Sequence, residues 1–394
     1  MHRTYQWTVC GVAAAALAWG GLTAHADDRG DGHHDDGRSD RGRTVFVVAM
    51  ENHNWTQPAT TTSPQQIFVN PYAPFVNSLV NGTSGISRQV AYATNYINAG
   101  IGVHPSEPNY IWAEAGQGFG VNSDADPYSA GCAPQTVQNT DQHLSAFLAR
   151  ARRTWRSYQE DTDVDLATNA PLARSAWTVP LFSISGVFAG GLNAYNYSNQ
   201  YNYAAKHNPM VFFADTAGGC NATPSNPRRV DYAPLQQLAL DLQNDELADY
   251  NWITPNQFND QHTTLTNGYG GPSGTPTKGD PARIAQGDNF LARIVPLIMA
   301  SKAYKDHGII VLWWDESEGG DTADFKLPFI VISKDAHENV HGLPFASQVE
   351  HSHSSTLRTM QEIFDVDPHH GYPWLGGAVT ATDLSDLFRP GTIR

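Results

Sequence analysis

The chain has 394 residues, 40% hydrophobic and 11% aromatic, enough for one large domain or two ordinary ones around a sizeable core. Its 24 Lys and Arg against 39 Asp and Glu leave a formal net charge of -15, which opposes binding to nucleic acid or anionic lipid surfaces. The same surplus of carboxylates suits hard divalent cations.

In chain order, the first feature is an export signal. Arg3 supplies a positive charge, residues 9–22 form an Ala-rich apolar run, and Ala24-His25-Ala26 offers a small-x-small cleavage site. The run is short and broken by Gly, so residues 1–26 are expected to be removed, with no stable membrane insertion. The mature protein is then secreted or periplasmic. Of the three cysteines, Cys10 leaves with the signal; Cys132 and Cys220 remain as a pair for a disulfide in an oxidising compartment. Residues 27–43 hold only Asp, Arg, Gly, His and Ser, which predicts a disordered linker. A single catalytic domain is expected over residues 44–394.

That domain opens with Thr44-Val45-Phe46-Val47-Val48-Ala49-Met50, an unbroken apolar run ending at Glu51-Asn52. Residues 308–314 form another, ending at Asp315-Glu316, and residues 327–332 a third; 210–213 and 250–253 are shorter. Short apolar runs without alternation predict strands buried on both faces of a mostly parallel sheet. Helices are expected between them: one from Asp141 with Thr140 as N-cap and Leu144, Phe147, Leu148, Ala151 and Trp155 at helical spacing, one over 288–303 bent at Pro296, and one over 354–364. The result is an α/β fold. Residues 193–203, rich in Asn and Tyr, read as an ordered surface loop, with the lining of a cleft as the alternative. Residues 268–278 are Gly-rich but lack the GK[ST] ending of a phosphate loop, so a flexible loop is expected.

In open α/β sheets ligands gather at the carboxyl ends of the strands. Glu51-Asn52 and Asp315-Glu316 sit at two such ends, and the run at 250–253 leads to Asn256, Asp260 and His262. Converging oxygen and imidazole donors suit one or two divalent metal ions. His353 is a further ligand candidate. Ser106, in His104-Pro105-Ser106-Glu107-Pro108-Asn109-Tyr110, precedes an apolar stretch; a helix starting there would offer its N-terminus to phosphate. No GxSxG, HExxH or dinucleotide GxGxxG motif is found.

Taken together, these segments resemble the phosphoesterase family of secreted acid phosphatases and phospholipase C enzymes, within the alkaline phosphatase superfamily. The likeness is carried by Val47 to Asn52, His104 to Tyr110, Thr154 to Glu160, Ile253 to Asn256 with Asp260 and His262, Gly287 to Leu291, Trp314 to Glu316, and His353 with Leu357-Arg358-Thr359. It implies an alkaline-phosphatase-like fold, a central mostly parallel sheet flanked by helices on both faces. It further implies Ser106 as nucleophile, Asn109 as a donor to phosphoryl oxygen, Glu51, Asn52, Asp315 and Glu316 around one metal, and Asp260, His262 and His353 around a second metal or the phosphate. The expected substrate is a small phosphate ester or phospholipid headgroup. His53-Asn54-Trp55 stands where phospholipase members carry Ser-Phe-Asp, which favours a phosphomonoesterase. The alternatives are a phosphodiesterase of phospholipase C type and, in another class, a non-catalytic metal- or phosphate-binding exported protein.

Overall fold

The computed structural model describes residues 43–270, 276–339 and 341–393. The expected export segment, the expected linker apart from Arg43, and residues 271–275 of the Gly-rich loop lie outside them. Arg43, the last residue of the expected linker, is ion-paired with Asp335.

The described residues contain strands β1 (Val45–Met50), β2 (Val90–Ala93), β3 (Tyr96–Ile97), β4 (Trp155–Gln159), β5 (Ile184–Val187), β6 (Gln200–Tyr203), β7 (Tyr232–Pro234), β8 (Tyr250–Thr254), β9 (Ile309–Trp314), β10 (Phe329–Ser333), β11 (Phe345–Ser347) and β12 (His351–Ser352). Their helices are α1 (Pro74–Val80), α2 (Ser106–Ala115), α3 (Leu144–Arg150), α4 (Ala214–Ala217), α5 (Gln236–Asn244), α6 (Asp280–Ala300), α7 (Lys302–Lys305) and α8 (His353–Ile363).

Eight strands form one sheet in the order β11-β2-β10-β9-β1-β8-β4-β7. Every neighbouring pair is parallel except those made by β10, which is antiparallel to both β9 and β2. One reversed strand makes the sheet mostly parallel, as the apolar runs imply. β1, β8, β9 and β10 are buried along their whole length because helices cover both faces. Successive strand residues point to opposite sides, and β9 shows which helices lie where. Trp313 packs on Tyr110 of α2 and His353 of α8. Trp314 faces the other way and donates from its indole to Gln261. There Gly287 of α6 lets the helix close on the sheet: a Cβ at this position would lie 2.2 Å from Gln261 Cγ and 2.8 Å from Met50 Cε.

Three expected elements differ in detail. Residues 210–213 do not form a strand; Pro209–Phe212 is a buried 3-10 turn, since Pro209 fixes φ and donates no ladder hydrogen bond. The helix expected from Asp141 begins at Leu144 with His143 as N-cap. Thr140 instead accepts from the N–H of Gln142 in a local turn, and Trp155 opens β4. The helix expected from 288 begins at Asp280 with a proline in its first turn, where no N–H is needed, and runs through Pro296. α8 matches its expected range within a residue and is held by a capping box of Ser352 and Ser355. The Cys132–Cys220 disulfide is formed, with Cα atoms 5.6 Å apart. Among the described residues no helix is long and apolar enough to cross a membrane.

Candidate active site

β9, β1 and β8 are adjacent and parallel, so their carboxyl ends share one rim of the sheet. Glu51 and Asn52 follow β1, Asp315 and Glu316 follow β9, and the segment after β8 brings Asp260 beside them, with its carbonyl accepting from Glu51 N–H at 2.8 Å. Glu51, Asp260 and Asp315 are fully buried and Glu316 is nearly so. Asn52 N–H donates to Asp315 Oδ1 at 3.0 Å and Asn52 Nδ2 to Glu316 Oε1 at 2.6 Å, so the pairs at the ends of β1 and β9 are bonded to each other. Asn52 and Gln261, with φ of 26° and 87°, are in the left-handed region. Such backbone costs about 1–3 kcal/mol per residue and concentrates at functional sites.

α2 delivers the serine. Pro105 occupies its N-cap and makes no side-chain cap. Ser106 is buried, and its hydroxyl does not cap the helix but donates to Glu51 Oε2 at 2.9 Å, with Glu316 Oε1 at 3.4 Å. Pro105 and Pro108 carry no N–H and Asp124 Oδ1 takes that of Glu107, so among the described residues this helix start offers anions chiefly the N–H of Ser106. One turn on, Asn109 Nδ2 donates to Val103 O at 2.9 Å and Glu316 Oε2 at 3.2 Å, and Tyr110 OH donates to Glu51 Oε1 at 2.6 Å.

Three residues at this site went unassigned in the sequence. His207 lies between the clusters, Nε2 3.1 Å from Glu51 Oε1 and Nδ1 3.1 Å from Asp260 Oδ2, and stacks on Tyr110. Neither contact is aligned as a hydrogen bond, since Nε2 and Asp260 Oδ2 have no hydrogen-bond partner. Burial, then the charges of Lys206 and His262, hold His207 well below its ordinary pKa, in the neutral form that ligates metals. Lys206 pairs with Asp124 at 2.9 Å. His104 donates to Glu316 Oε2 at 2.6 Å and Asp321 Oδ2 at 2.8 Å; the Glu316 bond leads in raising its pKa to about 9. The only signal for these was local: a Lys-His pair before the buried 209–213 stretch, and a His opening the serine segment.

The two other histidines chosen from sequence take different places. His262 reaches the site, its ring 5.7 Å from that of His207 and its Nε2 3.4 Å from Lys206 Nζ, and burial lowers its pKa to about 4. His353 stands behind the carboxylates. Its Nδ1 accepts from the Trp313 indole at 3.0 Å, which leaves Nε2 as the N–H that donates to the backbone carbonyl of Asp315. Both ring nitrogens of His353 are thus engaged, one of them on the backbone of Asp315. β4 supports the site from the far side: Glu160 accepts from Asn256 N–H and from the Asn193 and Asn259 amides, fixing the segment that carries Asp260. This also places the 193–203 stretch: Asn193 is buried against the site and Gln200–Tyr203 is strand.

The donor set fits a hard divalent cation. Burial, then repulsion from Asp315 and Asp260, pushes Glu51 well above the carboxylate range; burial leads for Asp260 and Asp315 too. Asn52 Oδ1, Asp260 Oδ2 and Asp315 Oδ2 are buried acceptors without a hydrogen-bond donor, which a cation would satisfy. Among the described residues no group of three or more His, Cys, Asp or Glu side chains is arranged so that it could hold a metal ion. The fit therefore rests on donor chemistry and the orphaned oxygens.

Comparison with known proteins places these residues in context. The sequence profile described as the Phosphoesterase family matches residues 51–367. A phosphatidylinositol-3-phosphatase of Mycobacterium tuberculosis is 24% identical over 87% of this chain and 82% of its own length. A probable acid phosphatase of Kluyveromyces lactis is 28% identical over 56% of this chain, which spans 39% of that protein. Among solved structures, a protein in the alkaline phosphatase superfamily from Vibrio parahaemolyticus aligns over 88% of this chain and 72% of its own, with a TM-score of 0.45 and 11% identity.

Proposed function

The chain belongs to the Phosphoesterase family and is a hydrolase of phosphoric ester bonds, and we propose that it hydrolyses phosphate monoesters through a phosphoserine on Ser106. The observation that carries this reading is the Ser106 hydroxyl, buried at a helix start and bonded to Glu51 inside a ring of carboxylates rather than to its own helix. Glu51 Oε2 holds the hydroxyl hydrogen and leaves an Oγ lone pair for phosphorus. As the Oγ–P bond forms, Glu51 takes the serine proton, the bond from phosphorus to the alcohol oxygen breaks, and that proton leaves with the alcohol. Water then cleaves Oγ–P, releasing phosphate and restoring the serine. Ser106 N–H donates to the phosphoryl oxygens, the Asn109 amide does so by giving up its bond to Glu316, and Lys206 and His104 supply positive charge beside them.

Glu51, Asn52, Asp315 and Glu316 are suited to hold one divalent ion, and Asp260, His207 and His262 a second. Bound there, such ions stabilise the serine alkoxide and the charge on the transferring group. His353 keeps Asp315 in place. Export is part of this reading, supported by the formed disulfide.

Turnover of a chromogenic phosphomonoester, with a phosphodiester beside it, tests the proposal. Wild type should turn over the monoester faster, and Ser106→Ala should lose nearly all of that activity while remaining folded. Preference for the diester would favour a phospholipase C type enzyme, and turnover of neither by wild type a binding protein.

A further inference from the structure

We propose that the cavity between residues 125–135 and Phe182–Ser183 receives the alcohol part of the substrate, and that it takes a neutral, hydroxyl-rich alcohol such as a sugar. This rests on the phosphomonoesterase reading and adds a substrate class to it. The cavity has a volume of about 600 Å³ and is lined by Ala125, Asp126, Tyr128, Gln135, Phe182 and Ser183 among others, a size that suits a small ligand.

Both walls are tied to residues beside the reacting centre. Asp124, next to Ala125, accepts from Glu107 N–H, one residue beyond Ser106, at 3.2 Å, and pairs with Lys206 at 2.9 Å. On the other wall, Ser183 Oγ accepts from Ala205 N–H at 3.0 Å, two residues before His207. Asp126 joins the walls, accepting from Ser183 Oγ at 2.6 Å and from its N–H at 3.2 Å. The first wall is also pinned by the Cys132–Cys220 disulfide and by the bridge between Tyr128 and Pro134. A second cavity, of about 570 Å³ and lined by residues from Gln57 to Pro71, is built from a single segment, tied through Asn54 to Glu318.

The lining chooses the ligand. Phe182 and Tyr128 offer aromatic surface for the apolar face of a sugar ring, while Asp126, Gln135 and Ser183 offer hydrogen bonds to its hydroxyls. Asp126, with Asp124 beside it, disfavours a second anionic group on the alcohol. The positive charge of Lys206 is turned to Asp124 and does not line the cavity.

The test compares glucose 6-phosphate, n-butyl phosphate and phosphocholine as substrates of wild type, Gln135→Leu and Phe182→Ala. Wild type should prefer glucose 6-phosphate in kcat/KM, and each variant should cut that preference over n-butyl phosphate about tenfold, through KM. Preference for phosphocholine or n-butyl phosphate, or a preference unchanged in both variants, overturns the proposal. If wild type hydrolyses none of the three, the phosphomonoesterase reading fails on its own. Binding of free glucose to Ser106→Ala protein still decides the cavity: saturable binding weakened by Phe182→Ala supports it, and no binding rejects it.

Discussion

Asp315 is held from two sides: its carboxylate accepts from Asn52 N–H and its carbonyl from His353 Nε2–H. The Trp313 indole fixes the tautomer of that histidine, so a buried core residue determines how a site residue is aimed. Neutralising a ligand should weaken the site without a large loss of packing. Glu51→Gln and Asp315→Asn are each expected to lower both metal content and rate by about tenfold or more, read by elemental analysis beside turnover. Normal content and rate in either variant would remove that residue from the ligand set. The pairs at 51–52 and 315–316 were legible because each ends a buried apolar run, and a strand end in a parallel sheet has a known direction. His207 was not legible in this way. It ends a short 3-10 turn far along the chain, and only the tertiary fold brings it between Glu51 and Asp260.

The strands that could be read in the sequence are the four central ones, β10, β9, β1 and β8, where burial on both faces makes the run continuous. β2, β4, β7 and β11 are shorter or mixed in composition and carried no comparable signal. The 210–213 run shows the limit of that logic, since apolar content sets burial while Pro209 sets conformation. The start of α3 depends on a contact no local pattern displays. His143 is fully buried on Phe213, with Glu114 of α2 at 3.3 Å and Asp215 of α4 at 2.9 Å. Burial alone would lower its pKa, but the hydrogen bonds to Asp215 and Glu114 outweigh that and raise it above the ordinary 6.5. With the folded value above the unfolded one, this network stabilises fully below about pH 6.5 and loses its contribution as pH rises through the folded value. Thermal melts across that range should show the loss in wild type, and His143→Gln should be less stable with a flatter profile. A variant profile parallel to wild type would contradict the assignment. The disulfide joins α4 and its flank to the 125–135 segment across a sequence separation of 88, worth about 4–5 kcal/mol by chain entropy. Reduction should add two hydrogens to the intact mass and lower Tm; two free thiols in the native protein would refute it.

At the scale of the whole molecule, a chain of net charge -15 folds so that its parallel strands converge three carboxylate-bearing ends on one rim. The buried acids there repel one another, which is why chelation is expected to abolish activity and divalent ions to restore it. Full activity after exhaustive chelation, with no metal found, would oppose the cation assignment. The direction of the sheet and the rim could be argued from sequence, whereas the cavity at 125–135 and 182–183 could not, because its walls come from segments without periodicity that meet through Asp126 and Ser183. In the proposed reaction Ser106 forms a covalent bond to phosphorus. Acid quenching of wild type during turnover, followed by peptide mass analysis, measures it directly. Phosphate is expected on the peptide containing Ser106, and none in the Ser106→Ala variant; an unmodified Ser106 peptide under conditions of full turnover would show that no such bond forms.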